Sequence, residues 1–126
     1  MILAMSCSVL IVDDEAAFRR QASRLLAIRG FSVVGEAADA SDALRAARTL
    51  EPRAVVVDVN LPDRSGLELA VELLQLRAPP RVLLTSADAE VGAEDLRRCG
   101  AVGFVPKDRL PTSDLAALLL GAGKEK

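Results

Sequence analysis

Hydrophobic positions along the chain fall into two alternating patterns. Short, nearly continuous apolar runs rich in β-branched residues recur as Val9-Leu10-Ile11-Val12, Val33-Val34, Ala54-Val55-Val56-Val57, Val82-Leu83-Leu84 and Phe104-Val105. Continuous apolar character, rather than strict alternation, marks strands covered on both faces. Between these runs the apolar residues take helical spacing: Phe18, Ala22 and Leu25 on one stripe, then Ala43, Leu44, Ala47 and Leu50, then Leu67, Ala70, Val71 and Leu74. Gly30, Glu51-Pro52, Ala78-Pro79-Pro80 and Gly100 supply the stops. Five strands alternating with five helices predict a doubly wound α/β domain around a parallel sheet. The stretch from Asp88 to Cys99 is the weakest helix, because Gly92 inside it costs about 1 kcal/mol relative to alanine.

A length of 126 residues suits one such domain. We place it at residues 8–121, with 1–7 as a short extension running into the first strand and 122–126 as a flexible tail. Hydrophobic residues make up 51% of the chain and the net charge is -2, so a real core is available and the basic bias of nucleic-acid binding is missing. DNA binding by this chain alone is not expected. The opening Met1-Ile2-Leu3-Ala4-Met5-Ser6 has no positive leader and too short an apolar stretch for a signal peptide or membrane span, which reads as a cytoplasmic protein without a membrane partner. Cys7 and Cys99 stand in apolar or helical contexts and read as reduced thiols. Histidine is absent, which excludes the usual zinc sites and histidine-based catalysis. Chemistry is left to carboxylates, hydroxyls and lysine.

In an open parallel sheet, ligands gather at the carboxyl ends of the strands. Here the first run ends in Asp13-Asp14-Glu15, the third in Asp58 and the fourth in Thr85-Ser86, and Lys107 follows the fifth. If the first and third strands are neighbours, their carboxylates converge, and two charges roughly 4 Å apart repel by about 4 kcal/mol at an effective dielectric of about 20. Such a cluster calls for a cation or a shared proton. A few carboxylate oxygens completed by water suit Mg²⁺, while the hydroxyl and the lysine are donors suited to an anion bridging metal and ammonium. Asp13 and Asp14 acting only as caps of the first helix is the plainer reading of that pair taken alone.

These residues resemble the receiver domains of two-component response regulators, a family with a flavodoxin-like (βα)5 fold. The resemblance rests on Val9-Leu10-Ile11-Val12-Asp13-Asp14-Glu15, on Val55 to Gly66 with Asp58-Val59-Asn60-Leu61-Pro62-Asp63 at its centre, on Leu84-Thr85-Ser86-Ala87, and on Gly100 to Lys107, in that order over nearly the whole chain. It implies that Asp58 is a phosphoacceptor assisted by Lys107 and Thr85, with Mg²⁺ or Mn²⁺ held by Asp13, Asp14, Asp58 and the main-chain carbonyl of Asn60. Thr85 and Phe104 take the positions of the family's switch residues, with Ser86 a rival for the hydroxyl role and the core an alternative role for Phe104. The proline that often follows the family's lysine is replaced by Asp108, a variant similar to that in regulators with a helix-turn-helix output domain, so the chain reads as a stand-alone receiver or as part of such a regulator.

By the same resemblance the phosphoryl donor is a sensor histidine kinase or a histidine phosphotransfer protein. The output is a changed surface on the fourth helix, fifth strand and fifth helix, signalling to a downstream effector protein. The run Leu118-Leu119-Leu120 spans roughly 200° of a helix and offers that surface, or a homodimer contact through the fourth and fifth helices, an apolar edge. The domain is expected to catalyse only its own phosphorylation and dephosphorylation. A pseudo-receiver that binds a partner without phosphate is the alternative. An aspartyl-phosphate phosphatase would normally carry a second acid two residues beyond the nucleophile, where Asn60 stands.

Overall fold

All five apolar runs become strands in the computed structural model, which describes residues 7–121. They are β1 (Ser8–Val12), β2 (Ser32–Ala37), β3 (Ala54–Asp58), β4 (Arg81–Ser86) and β5 (Gly103–Pro106). Every pairing is parallel, in the order β2-β1-β3-β4-β5. The predicted doubly wound flavodoxin-like architecture is therefore the observed one. Residues 1–6 of the proposed extension and the proposed tail 122–126 lie outside the described residues.

Successive strand residues face opposite sides of the sheet, which gives two cores. On one side Val9, Ile11, Val56, Leu83 and Val105 pack with Ala22 and Leu26 of α1 (Ala16–Ile28) and with Leu110, Leu115 and Leu119. On the other, Leu10, Val12, Val55, Val57, Val82 and Leu84 meet α2 (Ala40–Leu50), α3 (Gly66–Leu73) and α4 (Ala93–Cys99). The helical stripes are displaced slightly from the predicted ones. Leu26 is fully buried while Phe18 and Leu25 are only half-buried, and α3 turns Leu69, Ala70 and Leu73 inward, leaving Val71 exposed. Leu50 is also partly exposed, because it ends α2 at the sheet margin, where its methyl group lies over Gly35.

Two predicted helices need correction. Gly92 is not inside α4 but is its N-cap, in extended backbone, so the helix begins at Ala93 and the glycine penalty does not arise. The fifth α-helix is replaced by a 3-10 segment, Lys107–Thr112, and a five-residue π-wound turn, Ala116–Leu120. Pro111 lies inside the 3-10 segment, where its missing N–H prevents an α-helical ladder, and Ser113 then returns to extended backbone. Of the three leucines in the final turn, Leu119 is buried, Leu118 packs at the core margin and Leu120 is partly exposed. Cys7 and Cys99 are both buried and free, and burial pushes the Cys7 thiol up, which keeps it unreactive.

The start of α2 is tied to the loop after β3. The Asp39 carboxylate accepts the Asp42 amide at 2.8 Å, and Asp63 reaches across to accept the Ala40 and Ser41 amides at 2.9 and 3.0 Å. The Ala40 amide foremost, joined by the Ser41 amide and the Arg64 charge, outweighs the opposing effect of burial and holds the Asp63 carboxyl below its ordinary value. A carboxylate with a depressed folded pKa contributes stability above its unfolded pKa and loses it as pH falls through the folded value. Asp63→Ala is therefore expected to lower the urea midpoint at neutral pH. Equilibrium unfolding followed at stepwise lower pH should show the two curves converging.

Candidate functional site

The carboxyl ends of β1, β3, β4 and β5 meet at one edge of the sheet. β1 pairs with β3, as the charge argument required, and Asp58 lies directly opposite Thr85 in the β3–β4 register. The Val59 amide donates to the Thr85 carbonyl at 2.8 Å, which fixes the chain just beyond Asp58. Gly66 is needed by the same loop: a Cβ there would stand 2.4 Å from the Asp58 carbonyl oxygen. Its amide donates to the Val59 carbonyl at 2.7 Å, and the Ser65 hydroxyl caps the helix that follows.

Asp13 and Asp58 are buried, at 0% and 5% exposure, and Asp14 is exposed at the rim. One carboxylate oxygen from each of the three lies within 4.8 Å of the others, a spacing at which each pair repels by roughly 3–4 kcal/mol at an effective dielectric of about 20. The side chain of Lys107, only 12% exposed, enters from the end of β5, with its ammonium 2.7 Å from Asp13 Oδ2, 3.1 Å from Glu15 Oε1 and 3.6 Å from Asp58 Oδ2. Lys107 is thus ion-paired with Asp13 at close range and donates a hydrogen bond to Glu15. The other Asp13 oxygen accepts the Glu15 amide at 2.8 Å, so Asp13 serves the helix start and the charge cluster together.

Burial is the main cause of a raised Asp58 pKa, and the Asp13 charge adds to it. The Asn60 amide, at 3.2 Å, and Lys107 oppose the rise without cancelling it. For Lys107, burial works against the ammonium, but Asp13 and Glu15, then Asp58, outweigh it and raise its pKa. Thr85 is fully buried and its hydroxyl has no hydrogen-bond partner among the described residues. Ser86 is the opposite case, since its oxygen accepts the Ala89 amide at 2.9 Å and the Asp88 amide at 3.3 Å. Of the two rival hydroxyls, the one free to accept a new partner is therefore that of Thr85. Phe104 is half-buried and packs against the core on the α2 side.

The structure thus brings Asp13, Asp14, Asp58, Thr85 and Lys107 together, and the Asn60 amide donates to Asp58 Oδ1. Three further contacts carried weak sequence signals. Glu15 binds Lys107 although it had been read only as one more acid. Asp88 accepts the Asn60 side-chain amide at 3.1 Å. Arg19, one turn into α1, donates to the Asp13 carbonyl at 2.6 Å and pairs with Glu36 at 2.9 Å. A Ser-X-Asp turn after the fourth run was the available hint for Asp88, whereas nothing local marks Arg19.

Acidic residues at the ends of neighbouring parallel strands, a lysine at the end of β5 and a buried threonine opposite the central aspartate define a receiver-type site on a flavodoxin-like sheet. The family profile for the response regulator receiver domain matches residues 9–119, and the chain belongs to that family of two-component signalling domains. It is 34% identical over 113 residues to the transcriptional regulatory protein PdtaR of Mycobacterium tuberculosis, covering 86% of this chain and 55% of PdtaR. It is 39% identical over 100 residues to the transcription regulator BvgA of Bordetella pertussis, covering 79% of this chain and 48% of BvgA. The chain thus spans about half the length of these relatives. The signal receiver domain of NarL from Mycobacterium tuberculosis superposes with a TM-score of 0.82 at 31% identity, covering 95% of this chain and 98% of that one. The response regulator domain of Thermotoga maritima CheB gives 0.81 at 25% identity, covering 96% and 99%. Among the described residues no helix is long and apolar enough to cross a membrane.

A carboxylate whose folded pKa is raised destabilises the fold above that pKa; the penalty fades as pH falls through the folded value and is gone below the unfolded one. Asp58→Asn is therefore expected to raise the melting temperature at neutral pH in divalent-free buffer. The shift should be a few degrees, the size that about 1 kcal/mol produces in a domain of this length. Differential scanning calorimetry with added Mg²⁺ should narrow the gap by stabilising the parent chain alone.

Proposed function

We propose that the chain accepts a phosphoryl group on Asp58 from a phosphohistidine of a sensor kinase or phosphotransfer protein and passes the signal on through its α4–β5 face and final turn. The carrying observation is the convergence of Asp13, Asp14 and Asp58 within 4.8 Å, next to the Lys107 ammonium and opposite the unpartnered Thr85 hydroxyl. The donor set is all oxygen and leaves room for water, which suits Mg²⁺ or Mn²⁺, with the Asn60 main-chain carbonyl as a further ligand. A divalent cation there supplies neutralisation of charge between the carboxylate and the incoming phosphoryl group.

The chain's own residues do the rest. An Asp58 oxygen attacks phosphorus in line, the bond to the donor nitrogen breaks, and that nitrogen keeps the electron pair. Lys107, already 3.6 Å from Asp58, stabilises charge on the transferred oxygens. The phosphoryl group adds nearly two negative charges and new acceptors, for which the Thr85 hydroxyl is the uncommitted donor. Movement of Thr85 would be felt through β4 by Phe104, and by the loop of residues 87–92 through Ser86 and Asp88. Attack of water on phosphorus later releases phosphate and restores the carboxylate.

The intracellular location, the effector and any dimer through α4 and the final turn belong to this same reading. Intact-protein mass spectrometry after treatment with acetyl phosphate tests it. The expected result is a single phosphoryl adduct that needs Mg²⁺ and is lost in Asp58→Asn. No adduct in the parent chain with Mg²⁺ present would favour a phosphate-independent protein-binding module.

A further inference from the structure

Lys107 touches three carboxylates, and two of them are committed elsewhere. Asp58 is the proposed acceptor, and Asp13 belongs to the cluster whose oxygens converge within 4.8 Å. Glu15 belongs to neither group. It sits at the N-cap of α1 in extended backbone, yet its side chain makes no capping bond to the helix. Residues that cap well are short, and they turn their oxygen back onto the first-turn amides. The Glu15 carboxylate instead accepts a directed hydrogen bond from Lys107 at 3.1 Å. Across from it, the Phe18 ring lies under the same ammonium, 4.6 Å from nitrogen to ring centre.

We propose that Glu15 is the positioning residue of Lys107, holding the ammonium beside Asp58 by a contact that neither cation binding nor phosphoryl transfer consumes. Phe18 backs the ammonium from below. This rests on the receiver reading of Asp58 and Lys107 given above. Because 64% of the Glu15 side chain is exposed, the contact is screened and its effect is modest. Glu15 touches no reacting atom and acts only through the lysine.

Two readouts test the proposal. In ¹⁵N NMR of the chain without divalent cation, the Lys107 ammonium protons should exchange with water several-fold faster in Glu15→Ala, and Glu15→Gln, which keeps an acceptor oxygen, should fall between. The sequence holds only two other lysines, Lys124 and Lys126, so assignment is tractable. In a double-mutant cycle with acetyl phosphate and Mg²⁺, Glu15→Ala should slow phosphorylation at saturating donor by roughly twofold to fivefold in the parent, and have little further effect in Lys107→Ala. Unchanged ammonium exchange, faster phosphorylation on loss of the negative charge, or equal slowing in both backgrounds would overturn the role. If the parent chain takes no phosphoryl group at all, the receiver reading fails, and this inference with it. If it does and Glu15→Ala matches it in both readouts, only the inference fails.

Discussion

Two buried carboxylates at the ends of adjacent parallel strands are the constraint around which this domain is arranged. Asp13 and Asp58 are withdrawn from water, and charges so placed are costly unless opposite charge or a proton compensates them. In the structure the compensation is a single ammonium, Lys107, spread over Asp13, Glu15 and Asp58. One positive charge faces three carboxylates there, and the Asp58 pKa, raised first by burial and then by the Asp13 charge, stays above its ordinary value despite Lys107. A divalent ion, as proposed, would offset the remaining negative charge. The unpartnered hydroxyl of Thr85 is a second unmet demand at the same place, and a group that brings acceptor oxygens to Asp58 would satisfy it.

The surrounding structure preserves this tension. The Gly66 approach to the Asp58 carbonyl and the Val59 to Thr85 bond hold the loop after β3 close. Asp63 carries the end of that loop across to α2, so the loop after Asp58 and the start of that helix share hydrogen bonds. On the opposite flank the Arg29 guanidinium donates to the Pro111 and Ser113 carbonyls, joining the end of α1 to the segment that follows Lys107. Arg81 donates to the Leu118 carbonyl and fastens the final turn to the start of β4. Every segment that carries a site residue is thus braced from a second element, which favours a site with discrete arrangements over one that deforms gradually.

Much of this was legible in the chain. Valine- and leucine-rich runs of strand length, with no polar alternation, have few places to go except the middle layer of an α/β sandwich. Aspartate, threonine and lysine at their carboxyl ends then have to meet. What escaped was set by tertiary packing or by short-range backbone choices. Which face of α3 turns inward depends on its neighbours α2 and α4, so Leu69 and Leu73 were buried where Val71 had been expected. Gly92 reads equally well as a helix flaw or a helix start, and only the backbone at Ala93 distinguishes them. Pro111 was visible in sequence, but its effect, a 3-10 segment and a short π-wound turn in place of an α-helix, depends on how Leu110, Leu115 and Leu119 seat against β4 and β5. Glu15 and Arg19 escaped because pairings 92 residues apart, with Lys107, and 17 residues apart, with Glu36, leave no local pattern.

The central claim is that the cluster at Asp58 accepts a cation and a phosphoryl-shaped anion together, and that Thr85 and Lys107 answer to the anion. The most direct measurement is methyl and ammonium NMR of the chain with Mg²⁺ and beryllofluoride, a phosphoryl mimic. The account predicts a complex that forms only with both components present, displaces the Thr85 methyl signal and shifts the Lys107 ammonium signal. Spectra that stay those of the free chain when both are added would contradict it.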